Sequence, residues 1–316
     1  MTVELAADLD ADGEVLHWRH TVCSPGHSSR PGRSTAPALL GSWQTEQPFE
    51  PPAALNVPLA AGGGAERNAV PGYALPAWQI DSRQILQPPL RPSALRSLGA
   101  FANVFASESF VDEIAHATGV DPLAWRRRHL AHDARALTVL ELAAARAGWS
   151  QRGDAGWSQR ARSEGVGHGL GLARYKGQGA WCAVVAEVEA AAVLRVRRLW
   201  IAVDVGQAVN PDGVAAQIEG GAIQATSWTL KESLQVEGGR VFNDRWSRYP
   251  ILHFSEVPAI DVQIVASDQP SLGAGEAALG PTAAAIANAL YDALGVRVRD
   301  LPLTPERIVA AIDAIA

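Results

Sequence analysis

The stretch Leu272-Gly-Ala-Gly-Glu276-Ala-Ala-Leu-Gly-Pro281-Thr282 constrains this chain more than any other. It sets one carboxylate behind two glycines and in front of a long alanine-rich run. Gly273 and Gly275 let a ligand come close to the main chain. Thr282 to Leu294 carries apolar side chains at Ile286, Ala289, Leu290 and Leu294 and stops at Gly295, which predicts a helix. Pro281 falls in its first turn, where the missing N–H does no harm. A helix start presents free N–H groups and partial positive charge. Glu276 therefore lies on a glycine-hinged turn at or near a helix start. For such a glutamate taken alone, a solvated surface acid is explanation enough, so its companions elsewhere in the chain decide its meaning.

Residues 1–22 read as a hairpin across Asp10-Ala-Asp-Gly13. The chain thus begins inside a strand, and strand partners in another polypeptide are expected. Residues 23–95 are rich in Pro, Gly, Ser and Ala, yet Trp43, Phe49, Tyr73 and Trp78 argue for order through burial, so an irregular wrap over a partner surface is expected. Gly62-Gly63-Gly64 lacks the flanking strand and the Lys-Ser/Thr of a phosphate loop. Helices are predicted over Asn103–Thr118, from Asp121-Pro122 to about Leu130, and over Thr138–Ala147. Residues 150–163 form a polar connection. Strands follow at 165–176, 180–189 and 193–203, then the loop Asp204-Val-Gly-Gln-Ala-Val-Asn-Pro211 and a helix over 212–231. Further strands are expected at 235–242, 259–266 and 296–298, and a last helix after Thr304-Pro305. The class is α+β, with residues 1–150 and 151–316 as its two regions.

Composition removes several functions. A net charge of −6 without a basic run gives no basis for nucleic-acid binding, and Arg126-Arg127-Arg128 reads as a solvated helix face. No apolar run reaches membrane-spanning length, and the first residues lack the pattern of a signal peptide. Two cysteines do not make a disulfide framework, so a reducing, cytoplasmic setting is expected, or a periplasmic one if a partner carries the chain there. His17, His20, Cys23 and His27 lie close together, but strand alternation turns His17 and His20 to opposite sides. Scattered loop polar residues are the reading, with a zinc site as its weaker alternative.

Glycine-hinged Glu276, the segment Asp204-Val-Gly-Gln-Ala-Val-Asn-Pro with Gln217-Ile-Glu-Gly220, and the Arg96-Ser-Leu-Gly99 loop occur in one order. Together they resemble the molybdenum-binding subunit of the xanthine dehydrogenase/aldehyde oxidase family of molybdenum hydroxylases, in its isoquinoline 1-oxidoreductase and nicotinate dehydrogenase branch. Residues 89–106, Tyr249–Pro258 and Leu301–Glu306 look like that branch as well. The family's subunit is roughly twice this long, so the chain resembles its C-terminal part, a split subunit or a truncated remnant. The resemblance implies a molybdenum–pterin cofactor, usually the cytosine dinucleotide, to which the protein gives no direct metal ligand. It implies Glu276 as general base in hydroxylation of an N-heteroaromatic or aldehyde carbon with oxygen from water. Gln217 would contact the pterin, and Gly206, Gln207 and Asn210 would line the cofactor, with Gly273 and Gly275 beside it. Arg96 and Gly99 would form the loop near metal and substrate. Implied partners are the N-terminal half of the subunit and a [2Fe-2S] subunit that takes the electrons. The competing reading is an inactive fragment, or a scaffold that holds sister subunits without catalysis.

Overall fold

The computed structural model describes residues 1–29, 40–49, 53–88, 90–91, 93–149, 165–238 and 240–314. The polar connection read at 150–163 lies outside them. In chain order, β1 (Thr2–Leu9) and β2 (Val15–Pro25) form an antiparallel hairpin, and β3 (Trp78–Ile85) joins β2 in parallel. Helices α1 (Ala100–Ala117), α2 (Pro122–His129) and α3 (Ala134–Arg146) follow. Three antiparallel strands come next, β4 (Val166–Arg174), β5 (Trp181–Ala190) and β6 (Leu194–Asp204). After α4 (Pro211–Leu230), β7 (Val236–Glu237) and β8 (Arg240–Val241) make a small ribbon. Strand β9 (Ala259–Ile264) then joins β6 in parallel, and α5 (Leu279–Leu294) and α6 (Pro305–Asp313) close the described chain.

The sheet β4-β5-β6-β9 is the centre, and alternate residues of its strands feed two cores. Cys182, Val184, Ala186 and Val188 meet Ile201, Ile218, Ile286 and Leu290 on one side. Trp181, Ala183 and Val185 meet Trp125, Val139, Leu140 and Trp18 on the other. Strand β4 lies directly beneath α5 because it alternates glycine. A Cβ at Gly167, Gly169 or Gly171 would stand 2.1–2.2 Å from backbone atoms of Ala289 or Pro281. Those contacts also set direction. Four residues forward along β4, from Gly167 to Gly171, match eight back along the helix, from Ala289 to Pro281. These steps are nearly equal, roughly 13 Å of strand against 12 Å of helix. The end of β4 is thereby carried to the start of α5, where the Glu276 turn lies.

Several expectations need correction. Arg126 is not on a solvated face. It is fully buried on α2, and its Nε donates to Glu108 Oε2 at 3.0 Å, while Arg127 and Arg128 pair outward with Glu141 and Glu14. Three consecutive helical residues point in three directions, so one of them must face the interior. Helix α3 begins four residues before Thr138, because Asp133 accepts from the N–H groups of Arg135 and Ala136 and caps it. The strand read at 235–242 is only the two-residue ribbon of β7 and β8, since Gly238 turns the chain with a positive φ. Residues 296–298 form no strand: Val296 and Val298 are buried in a connection without regular secondary structure. Strand β3 lies inside the expected irregular wrap, and most of its side chains are exposed, so the sequence carries no apolar alternation there.

The histidine group does not converge on a metal. His17 meets Arg19, His27 meets Ser24, and His20 Nε2 lies 3.1 Å from Asn103 Oδ1. His17, His20 and Cys23 are strand residues of β2 rather than loop residues, and among the described residues no three metal-ligating side chains cluster. His20 is completely buried, and burial, opposed by its bond to Asn103, pushes it down to about 4. Its folded value is thus below the ordinary value of about 6.5, so the unfolded chain takes up the proton first as pH falls. Stability is expected to be whole above about pH 6.5 and to drop by on the order of 3 kcal/mol between there and pH 4 from this residue. Urea midpoints at pH 7 and pH 4.5 check this. The wild-type loss should exceed that of His20→Gln, and equal losses would refute it.

Candidate active site

Glu276 is half-buried on the turn before α5, and both of its carboxylate oxygens are held. Oε1 accepts from the Ser97 backbone N–H at 2.6 Å, and Oε2 accepts from the Tyr175 hydroxyl. Tyr175 stands one residue beyond the end of β4, where the strand–helix register delivers it. The Ser97 N–H reaches Glu276 through an uncommon backbone. Ser97 and Leu98 both take positive φ, 82° and 51°, a left-handed conformation that side-chain-bearing residues seldom adopt. Gly99 anchors that loop: its N–H donates to Gly64 O at 3.1 Å, and a Cβ there would stand 2.1 Å from Ala65 O. Only glycine permits that approach.

Arg96 braces the same region from the other side. Its Nε donates to Gly275 O at 2.5 Å, Nη2 to both Gln217 O and Gln217 Oε1 at 3.1 Å, and Nη1 to Gln224 Oε1 at 3.3 Å. The guanidinium is therefore committed to protein acceptors across α4 and the Glu276 turn. By claiming Gln217 Oε1 it fixes which way that amide points and leaves the amide NH2 to donate.

The loop after β6 runs beside the glycine turn. Leu272 N donates to Val205 O at 2.7 Å, Gln207 N to Gln269 O at 2.7 Å, and Ser271 Oγ to Gln207 O at 2.6 Å. Gly206 has φ +67°, and a Cβ there would strike Pro270 O at 2.2 Å. Asp204 anchors the loop root through Arg135 and the Gly206 N–H. Burial raises its carboxyl, but those donors outweigh it and hold the group below its usual range. Asn210 caps α4 by accepting from Gly213 N at 2.9 Å. Between loop and turn is an open cavity of about 310 Å³ lined by Gln207, Asn210, Gln217, Ser271 and Gly275. Gly273 flanks it, with nothing within 4 Å of where its Cβ would be. On the other side of Arg96 is a second cavity of about 450 Å³, walled by Leu95, Leu98, Phe101, Trp228 and Tyr249.

The nine residues singled out from the sequence thus fall in one region, around Arg96 and the Glu276 turn. The sequence reading missed three that complete it: Tyr175, Arg67 and Ser97. Ser97 lay inside the loop already noticed. Arg67 follows the triple glycine, whose carbonyls turn out to accept from arginine rather than its N–H groups cradling a phosphate. Tyr175 carried no local signal beyond a phenol at a strand end.

Two family models, both described as molybdopterin cofactor-binding domains, match residues 59–130 and 104–258. The chain is 38% identical to a nicotinate dehydrogenase subunit of Pseudomonas putida over 98% of its own length. It is 33% identical to the beta subunit of isoquinoline 1-oxidoreductase of Brevundimonas diminuta over 95%. It spans only 26% and 35% of those relatives. Among solved structures, quinoline 2-oxidoreductase from Pseudomonas putida 86 superposes with a TM-score of 0.73 at 16% identity, covering 98% of this chain and 61% of that one. An aldehyde oxidoreductase from Desulfovibrio desulfuricans gives 0.71 at 16% identity, covering 98% and 48%. These two likenesses establish the fold.

Proposed function

We propose, from the premise that this chain belongs to the molybdenum hydroxylase family, that it is the C-terminal portion of a split molybdopterin-binding subunit. The assembled enzyme would hydroxylate a carbon of an N-heteroaromatic ring or an aldehyde, with oxygen from water. The division into regions 1–150 and 151–316 belongs to the same reading. The observation that carries it is Glu276, a carboxylate held at both oxygens next to an amide-lined cavity.

The residues present fit a pterin. The cavity offers Gln207, Asn210 and Gln217, amides that match an edge of mixed donors and acceptors. Gln217 would hold the pterin, with Gly206, Gln207, Asn210, Gly273 and Gly275 giving close backbone approach. Arg96 and Gly99 would set the loop that faces metal and substrate. Bound there, a molybdenum–pterin cofactor, in this reading the cytosine dinucleotide, supplies a two-electron acceptor. The chain's own residues do the rest. Glu276 takes the proton released as water oxygen is added to the substrate carbon, which requires a base within hydrogen-bond reach. The Ser97 N–H and the Tyr175 O–H keep that carboxylate still. The cavity walled by Phe101, Trp228 and Tyr249 suits a planar ring, and electrons leave to a [2Fe-2S] partner.

A second polypeptide supplying the remainder of the molybdopterin-binding unit is supported by exposed apolar surface. Trp246 is 80% and Phe254 96% exposed on the segment between α4 and β9. No described helix is long and apolar enough to cross a membrane. Cys23 and Cys182 are both free thiols, which supports a cytoplasmic location unless a partner exports the complex.

Metal analysis tests the proposal. The chain purified alone is expected to hold no molybdenum. Co-expressed with the reading frame encoding the remainder of that unit, it is expected to carry near-stoichiometric molybdenum and pterin. Absence of both from the complex would favour the inactive scaffold instead.

A further inference from the structure

Arg67 is a buried cation, 4% exposed, with no carboxylate in ion-pair distance among the described residues. A buried charge is expensive unless compensated. Its Nε donates to Gly62 O at 2.8 Å and Gly63 O at 3.1 Å, and its Nη2 to Gly63 O at 2.7 Å. The remaining nitrogen, Nη1, donates to the Tyr175 hydroxyl, and the guanidinium carbon lies 5.4 Å from that ring's centre. The Tyr175 hydroxyl in turn donates to Glu276 Oε2. The anion nearest to Arg67 along this line of bonds is Glu276, one phenol away. Burial, and behind it the bond to Glu276, pushes the Tyr175 phenol upward, so it stays an O–H donor.

We infer that Arg67 and Tyr175 form a positioning relay for Glu276, in which a buried cation, acting through one phenol, fixes the orientation of the base. The inference rests on Glu276 being the base. Among the described residues, the charged and titratable groups bonded to or packed on this line are Tyr175 and Lys176 beyond β4, Arg67 from the glycine turn, and Arg96, whose Nε holds Gly275 O. Lys176 stacks on the Tyr175 ring, its Nζ 5.2 Å from the centre, and Arg96 is committed to α4 and the turn. Of these groups, among the described residues, Arg67 and Tyr175 alone lie in a hydrogen-bonded line to the carboxylate. The Gly62–Gly64 turn thereby acquires a role. Its carbonyls hold Arg67, and Gly64 O also receives the Gly99 N–H of the loop that serves the other carboxylate oxygen. Both oxygens of Glu276 are set from one turn.

The relay is tested on the assembled, molybdenum-loaded complex, with Glu276→Gln run alongside. Tyr175→Phe keeps the ring and removes the donor. The acid limb of kcat/KM against pH is expected to move up by about one to two pH units, because a hydrogen bond to a charged group is lost. Arg67→Met should move it the same way, and Arg67→Lys, which keeps the charge but not the fork, less. A readout independent of turnover is a double-mutant cycle of Tyr175→Phe and Glu276→Gln in urea unfolding. The two effects are expected to be non-additive by at least about tenfold in the unfolding constant. An unmoved acid limb in both Tyr175→Phe and Arg67→Met, or additivity within about twofold, overturns the relay. Should Tyr175→Phe fold poorly, the Arg67→Lys profile decides. Full turnover in Glu276→Gln would remove the base reading, and the unfolding cycle alone would then judge the relay.

Discussion

On the proposed function, replacing Glu276 with Gln is expected to lower kcat of the loaded complex by about a hundred- to ten-thousand-fold, the span that positioned general bases contribute. The size follows from what the substitution removes. Glutamine is nearly isosteric, so the turn, the α5 start and the cavity should persist. Its amide oxygen still accepts from one of the Ser97 N–H and the Tyr175 O–H. What disappears is the capacity to take a proton. Molybdenum and pterin content should therefore match wild type, since Glu276 is not among the residues lining the amide cavity. KM should change little, because a general base acts on the transition state rather than on ground-state binding. Glu276→Asp should fall between the two, keeping the charge but shortening the reach. The decisive measurement is kcat with a fixed electron acceptor at several pH values, beside metal content on the same samples. Turnover within about tenfold of wild type, at full metal loading, would remove Glu276 from the mechanism.

The nine residues drawn from the sequence cluster because each sits on a feature that sequence displays. Gly99 and Gly206 mark close approaches, an Asn-Pro pair opens a helix, and a strand–loop–helix order survives in the spacing. The elements legible on the same grounds were the long ones, α1, β4, β5, β6, α4 and α5, where period and stop signals agree. What stayed hidden depends on pairing between distant residues. Tyr175 and Arg67 are 108 positions apart, and each is ordinary alone. Strand β3 pairs in parallel with β2 across more than fifty residues, and its side chains are mostly exposed, so neither period nor apolarity betrays it. The glycines of β4 were visible, yet they could be read only as a strand; that they exist to seat α5 follows from the contact with Ala289 and Pro281. Arg126 failed for the opposite reason. Composition favours exposure for three adjacent arginines, and only the partner on α1 shows which one turns inward.

That partner makes Arg126→Met the substitution expected to damage the fold most. Glu108 is 2% exposed, and Arg126 is not exposed at all. Glu108 Oε1 accepts from the Tyr73 hydroxyl at 2.5 Å, and Oε2 from Arg126 Nε and Leu172 N, each at 3.0 Å. Arg126 also donates to Pro122 O and Glu108 O, both at 3.1 Å. Four pieces of chain thus meet at one carboxylate: α1, α2, β4 and the segment carrying Tyr73. Burial, the Glu108 charge next, raises the Tyr73 phenol far above its usual range, so it remains a donor. Removing only the cation leaves a buried carboxylate facing a single phenol and one amide, and such broken pairs cost about 3–5 kcal/mol. Glu108→Gln strands Arg126 instead and should cost a similar amount. The double variant Glu108→Gln/Arg126→Met should lose less than the sum, because the second change removes the charge the first left unpaired. Chemical unfolding of the four proteins, wild type included, measures this. Strict additivity would mean that the two residues stabilise the fold separately, and that the junction of α1, α2 and β4 is held by packing alone. A sub-additive result would place the ion pair at the junction itself, on the same strand that ends at Tyr175. The stability of that junction and the placement of Glu276 would then share one element, β4.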